Sequence, residues 1–196
     1  MRRLAALACL LPLTAACSGS LEIGPEPTGP QCSFQAGGRP ADPTVVLMAQ
    51  SVPSSSLLPC IRTVPAGWRF EHIEVTDRGT HFWLNSARDG THALAVVMSR
   101  NCDVADAKET SSEQAGTRRY ERGGRVGAGY RGQRYYVYPG GCITYDFNLR
   151  GTTGAEPMVA VSQALGFITR DAIARMVHDN TDGRFTLDPP SARAGR

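Results

Sequence analysis

Lysine is almost missing from this chain of 196 residues, where Lys108 stands alone against twenty arginines. Such a bias, beside abundant alanine and glycine, is first a mark of GC-rich coding and only second of a phosphate-binding surface. The formal net charge is only +3, so no nucleic-acid partner is expected, because binding a polyanion needs a clear basic excess. Long apolar runs are missing too: the stretch from Leu4 to Ala16 has thirteen residues, whereas a bilayer-spanning helix needs about 20. There is no Cys-x-x-Cys, which weighs against redox catalysis. No His-x-x-x-His accompanies His72, His81, His92 and His178, so no metal spacing is present. Gly123 to Gly129 lacks the Lys-Ser/Thr pair of a phosphate loop, and neither Gly-x-Ser-x-Gly nor Ser-x-x-Lys occurs. These absences leave no catalytic residue, no metal ligand and no cofactor to assign.

What is present at the start is an export signal: Arg2 and Arg3, an apolar run, then small residues. Within it, Leu13-Thr14-Ala15-Ala16-Cys17 resembles the lipobox of bacterial lipoproteins, with Leu13 four residues ahead of the cysteine and Thr14 where leucine is commonest. The resemblance implies cleavage before Cys17 and a diacylglyceryl group on its sulfur. Together with the composition it resembles an actinobacterial-style lipoprotein, and it says nothing about the globular part. The first expected partner is therefore membrane lipid, through Cys17, and the expected location is the outer face of the cell membrane. Two or more acyl chains hold a protein there stably, since each buried CH₂ contributes about 0.8 kcal/mol.

The remainder divides by composition. Residues 1–16 read as signal peptide and 17–43, rich in Gly, Pro and Ser, as a lipid-anchored flexible tether. Residues 44–188 read as a single domain and 189–196 as a disordered tail. In the domain, Val45 to Val52 is an apolar run that suits a buried strand, with a helical turn not separable by period. Ser54 to Trp68, carrying Pro59 and Pro65, suits a brief helix or turn. Alternation then marks three strands in a meander, Trp68 to Val75 with a face change near His72, His81 to Asn85, and Thr91 to Ser99. Residues 101–116 read as an exposed excursion, and the Arg- and Gly-rich stretch after it as a mobile surface loop with a short edge strand near 118–121. A second hairpin turns at Pro139-Gly140-Gly141. The period then lengthens. Pro157 opens a helix that places Val161 and Leu165 on one face, and Thr169 caps another with Ile173, Met176 and Val177 inward. Strands first and helices last predict an α+β fold, an antiparallel meander sheet with two C-terminal helices covering one face.

If Cys17 takes lipid and Cys9 leaves with the signal, Cys32, Cys60, Cys102 and Cys142 remain, an even set that suits two disulfides in an exported chain. Of three connectivities, Cys102 to Cys142 with Cys32 to Cys60 is preferred. One feature suggests binding. Tyr130, Tyr136 and Tyr138 interleave with Arg118, Arg119, Arg131 and Arg134; the preferred reading is that alternate tyrosines fill the core and arginines face water, and the alternative is one hairpin face both basic and aromatic. That mixture suits an envelope glycan, an anionic lipid headgroup or a protein partner. The expected function is a non-enzymatic binding or accessory domain on a membrane-anchored envelope lipoprotein; the alternative is a cell-envelope hydrolase with its triad dispersed in sequence. Replacing the anchor tests the first half of this reading: Cys17→Ser should move the protein from the membrane fraction to the soluble one, and intact mass should show the acyl mass only on the wild-type chain.

Overall fold

The computed structural model describes residues 29–32, 43–151 and 156–189. The signal peptide, Cys17, most of the expected tether and the last residues of the tail lie outside the described residues. The described chain opens with α1 (Pro43–Ser51) and β1 (Leu57–Ile61). Seven strands follow: β2 (Trp68–Thr76), β3 (Gly79–Ser86), β4 (Gly90–Ser99), β5 (Lys108–Thr110), β6 (Arg118–Val126), β7 (Gly129–Tyr138) and β8 (Gly141–Leu149). It closes with α2 (Glu156–Ala164), β9 (Leu165–Thr169) and α3 (Arg170–Asn180).

The seven strands form one antiparallel sheet in the order β2-β3-β4-β8-β7-β6-β5, so two meanders meet where β4 pairs with β8. Strand side chains alternate between faces, and here the alternation is cleanly apolar on one side. Leu84, Leu94 and Phe147 stand in register across β3, β4 and β8, as do Phe82, Val96 and Tyr145 in the next row. All six side chains are essentially inaccessible, and each such burial stabilises the fold by about 1.5–3 kcal/mol relative to exposure. Helix α1 packs against β2 and β3, while β1 and β9 form a two-stranded ribbon whose β1 lies over β4 and β8. Helices α2 and α3 pack on β9. The fold is α+β and a single domain, as the order of elements predicts.

Several segments differ locally from the sequence reading. Residues 43–51 form a helix because Val45, Met48, Ala49 and Val52, spaced i, i+3, i+4 and i+7, are all buried; Pro43 takes its first position, where a missing N–H is harmless. The Pro59 segment is strand β1. Ile61 N–H, on the edge away from β9, donates to Pro30 O at 2.7 Å, so Pro59 two residues earlier faces that same edge and withholds no ribbon bond. The helix starting near Pro157 stops at Ala164, because Leu165 and Ile168 are buried in β9. The Gly-rich stretch from Gly123 is the end of β6 and its turn into β7, with Gly123 opposite Gly132. A Cβ on Gly132 would lie 2.6 Å from the Tyr130 ring, so the glycine makes room for that aromatic.

Part of the expected tether is fixed to the domain. Gln31 bridges Ile61, Cys32 N–H donates to Ile61 O at 2.9 Å, and Cys32 is disulfide-bonded to Cys60. The second disulfide joins Cys102, just after β4, to Cys142 at the start of β8. At the other end of the chain, Thr169 caps α3 by accepting from Ala172 N. Arg170, only 6% exposed, donates to Ala49 O at the end of α1 and, at 2.7 Å, to Asp188 O.

The β7–β8 turn depends on one glycine. Gly140 has φ +84°, and a Cβ there would sit 1.9 Å from Ser54 O. Gly140→Ala should therefore cost about 1–3 kcal/mol from the backbone conformation alone, read as a lower midpoint in urea unfolding monitored by tryptophan fluorescence.

Candidate functional site

The register of β6 and β7 decides where the arginines and tyrosines go. Arg119 pairs with Tyr136 and Glu121 with Arg134, and Arg134 in turn faces Tyr145 of β8, whose side chain is in the core. Arg119, Arg134 and Tyr136 therefore stand on the face that carries the ribbon and helices. Tyr138 is on that face too but wholly structural: it is 6% exposed, and its hydroxyl donates to Leu57 O at 2.9 Å beside Ser55. Tyr130 is half-buried at the far end of the same face. Arg118 and Arg131 fall on the opposite face, where Arg118 pairs with Glu109 at 2.7 Å and stacks over Tyr120, and Arg131 donates to Asn148. The alternative of a single basic and aromatic face is thus divided between two faces, because every second residue of a strand points the other way; Tyr136 and Tyr138 are buried as the preferred reading has it, while Arg134 is buried with them.

The residues that do come together line a cleft of about 510 Å³ between the β6–β7 side of the sheet and the α2–β9 wall. Its floor is aromatic. Tyr136 meets Phe167 edge-on at 5.0 Å and Tyr145 at 5.3 Å, and Tyr145 and Phe167 lie nearly parallel at 6.4 Å. Arg62, after β1, lies across β9 because Gly166 has no side chain: a Cβ there would be 2.6 Å from the Arg62 Nε.

Charge is organised around this floor in a linked set. Arg134 Nε donates to Glu121 at 2.6 Å, and Arg119 approaches the same carboxylate oxygen at 3.5 Å. Arg119 also donates to Thr110 and, through Nη1, to Glu113 Oε2 at 2.5 Å. The Tyr136 hydroxyl donates to the other Glu113 oxygen at 2.5 Å. Burial pushes the Tyr136 phenol far above its ordinary range, and its bond to Glu113 adds to this, so it stays a proton donor. Burial alone would raise Glu113, but the hydrogen bonds from Tyr136 and Arg119 hold its carboxyl below its ordinary value. Arg62, Arg119 and Arg134 line the cleft with Glu113, and Glu121 pairs with the two strand arginines; among the described residues no carboxylate pairs with the exposed Arg62.

A second cluster occupies the open face of the sheet, on β2 to β4. His72 stacks on Trp83 with ring centroids at 4.3 Å, His81 lies tilted against it at 3.8 Å, and His92 comes within 5.5 Å of it. Two irregularities bring these rings together. The β2–β3 register shifts between Phe70 and Ile73, and His92 sits at φ 52° with its N–H held by the buried Asn85 side chain at 2.8 Å. His72 lies 3.6 Å from Glu74, and His92 Nε2 lies 3.0 Å from Glu71, out of line for a hydrogen bond. Among the described residues no group of three or more His, Cys, Asp and Glu side chains has the geometry to hold a metal ion.

The serines near the β7–β8 turn and α1 bond to backbone carbonyls. Ser51 donates to Met48 O, Ser54 to Gly140 O and Ser55 to Leu57 O, while three of the histidines take aromatic and carboxylate neighbours.

Sequence reasoning located Arg119, Arg134 and Tyr136 but missed Glu113, Arg62 and Phe167. Phe167 was hidden by reading β9 as helix, and Glu113 by its place in an excursion with no period. Alternation within each strand, 118–126 and 129–138, with the phase reset at the turn, carries the signal that would have separated the two faces. Compared with family models, with curated proteins and with solved structures, the chain matches none.

The histidine cluster has a consequence for stability. Burial lowers the pKa of His81 from its ordinary 6.5; Glu74 and Asp146 oppose this and His72 and His92 reinforce it. The fold thus favours the neutral ring, and the unfolded chain takes up a proton first as pH falls. Its contribution is full above 6.5 and declines as pH drops from there toward the lowered value. His81→Gln should lose less stability than wild type between about pH 7.5 and 5.5, measured as the shift in urea midpoint at each pH.

Proposed function

We propose that the protein is an exported lipoprotein, held on the outer face of the cell membrane by lipid on Cys17, whose single domain is a non-enzymatic binding module. The ligand site is the cleft between the sheet and the α2–β9 wall, and the ligand carries negative charge. The observation behind this is the excess, among the described residues, of guanidinium over carboxylate lining a cleft whose base is aromatic. The lipobox-like sequence before Cys17 and the two disulfides support an extracytoplasmic setting, since such bridges persist in oxidising compartments. No helix among the described residues is long and apolar enough to cross a membrane, so the lipid is the anchor in this reading.

An envelope glycan acid, a lipid headgroup and an acidic protein segment all supply the required charge. Aromatic planes next to arginine suit any of them, because the ring gives area at low entropic cost and the guanidinium gives a directional donor pair.

The test is binding by the mature, oxidised protein to acidic cell-wall glycan fragments, to vesicles with and without phosphatidylglycerol, and to an acidic peptide. Binding to at least one anionic probe is expected, with resonances of Arg62, Gly166 and Phe167 shifting. Arg62→Ala, an exposed change that leaves the core intact, should weaken it about tenfold, the worth of one charge-assisted hydrogen bond. Binding unchanged by Arg62→Ala, or perturbing only residues on the open face, would overturn the placement of the site.

A further inference from the structure

The Glu113 carboxylate occupies a position that a ligand could take. Its two partners, Arg119 Nη1 and the Tyr136 hydroxyl, each donate to a different oxygen at 2.5 Å. The donors belong to paired strands and are fixed: Tyr136 is 1% exposed and wedged by Tyr145 and Phe167, and Arg119 is tethered to Thr110 and Glu121. The acceptor belongs to the segment between β5 and β6, and its side chain is 55% exposed. A buried hydroxyl and a part-buried guanidinium, both held in place, are thus satisfied by an exposed, replaceable carboxylate.

We infer that the Arg119–Tyr136 corner is a carboxylate-binding subsite, that the cleft takes a monocarboxylate with an apolar or aromatic body, and that Glu113 fills the corner until such a ligand displaces it. This rests on the reading of the cleft as the ligand site. The charge of the ligand follows from the donors and their neighbour. Two donors match the two oxygens of one carboxylate, and Glu121, 3.5 Å from Arg119 Nε, repels a second negative charge. The character of the body follows from what lies beyond the corner: Phe167 and Val159, the latter 49% exposed at the cleft lip, backed by the buried Leu165 and Tyr145, while Arg62, Ser162 and Gln163 form the polar part of the lining. The volume of about 510 Å³ lies within the range of small-molecule pockets.

Because Glu113 competes from within the chain, the observed affinity is the intrinsic one reduced by the fraction of molecules in which the corner is open. Removing Glu113 removes that competition without touching either donor. The experiment titrates phenylbutyrate and decanoate, with phenylbutyramide as the uncharged control, into the full chain carrying Cys17→Ser, oxidised and ¹⁵N-labelled. Wild type should bind both acids at the cleft and the amide poorly. Glu113→Ala should bind the acids about tenfold more tightly with no gain for the amide, and Arg119→Gln should lose the acids in either background. Equal binding of acid and amide, or no gain in Glu113→Ala, overturns the carboxylate subsite while leaving the cleft as the ligand site. If none of the three probes moves a cleft resonance in any variant, and the anionic probes of the preceding test also fail, both readings fall.

Discussion

The pairing of β4 with β8 is the constraint on which the rest of the molecule depends. It is the seam between two meanders that are each locally closed, and it sets Leu94 against Phe147 and Val96 against Tyr145. Once that register is set, every strand beyond it inherits its faces: β7 from β8, then β6 from β7. The same register that buries Tyr145 therefore lifts Arg134 and Tyr136 toward the α2–β9 wall and turns Gln133 and Arg122 to the other side. A slip of one residue at the seam would exchange the two faces of β8, putting Thr144, Asp146 and Asn148 into the core. The Cys102–Cys142 bridge lies at the end of this seam, where Ser99 pairs with Cys142.

The two faces solve the problem of charge differently. On the covered face, guanidinium and carboxylate groups are partly withdrawn from water and answer one another at hydrogen-bonding distance, as in Arg134 with Glu121 and Arg119 with Glu113. Isolated charges in such a place would be costly, so their pairing is a condition of the fold. On the open face a polar ladder runs across the strands: Arg122 donates to Gln133, and Gln133 to Asp146. Beside that ladder, on the same face, His72, His81 and His92 gather around Trp83.

Much of the fold was legible in the sequence because it is carried by local patterns. The hairpins announce themselves by alternation bounded by glycine, the last helix by Thr169 followed by Ile173 and Val177, and the disulfides by an even count after the expected loss of Cys9 and Cys17. The misreadings share a cause. Val45 to Val52 and Leu165 to Thr169 are short apolar runs whose period is ambiguous, and tertiary contact chooses between helix and strand: α1 must fill the space over β2 and β3, and β9 must pair with β1. The site was legible only in part for a related reason. Arg119 and Tyr136 lie in one hairpin, but Arg62, Glu113 and Phe167 reach the cleft from three separate segments, and no spacing in the sequence links them. The gathering of His72, His81 and His92 on Trp83 depends on a bulge and a left-handed residue, which break the very alternation a sequence reader follows.

The ribbon of β1 and β9 has a further effect, on time rather than on energy. Its strands join Leu57 to Thr169 and Ile61 to Leu165, and Arg170 then locks α1 and the segment ending at Asp188 together. A chain emerging from its N-terminus can pair the first meander at once, yet it holds β1 without a partner until nearly all of the rest has appeared. Closing so long a loop is slow because its ends must find each other before any contact rewards the search. Helix α1 can cover β2 and β3 early, but the part of the sheet's apolar face under β9 and α2 stays uncovered through most of the chain's emergence, and there the molecule depends on its last elements to hide what earlier ones expose.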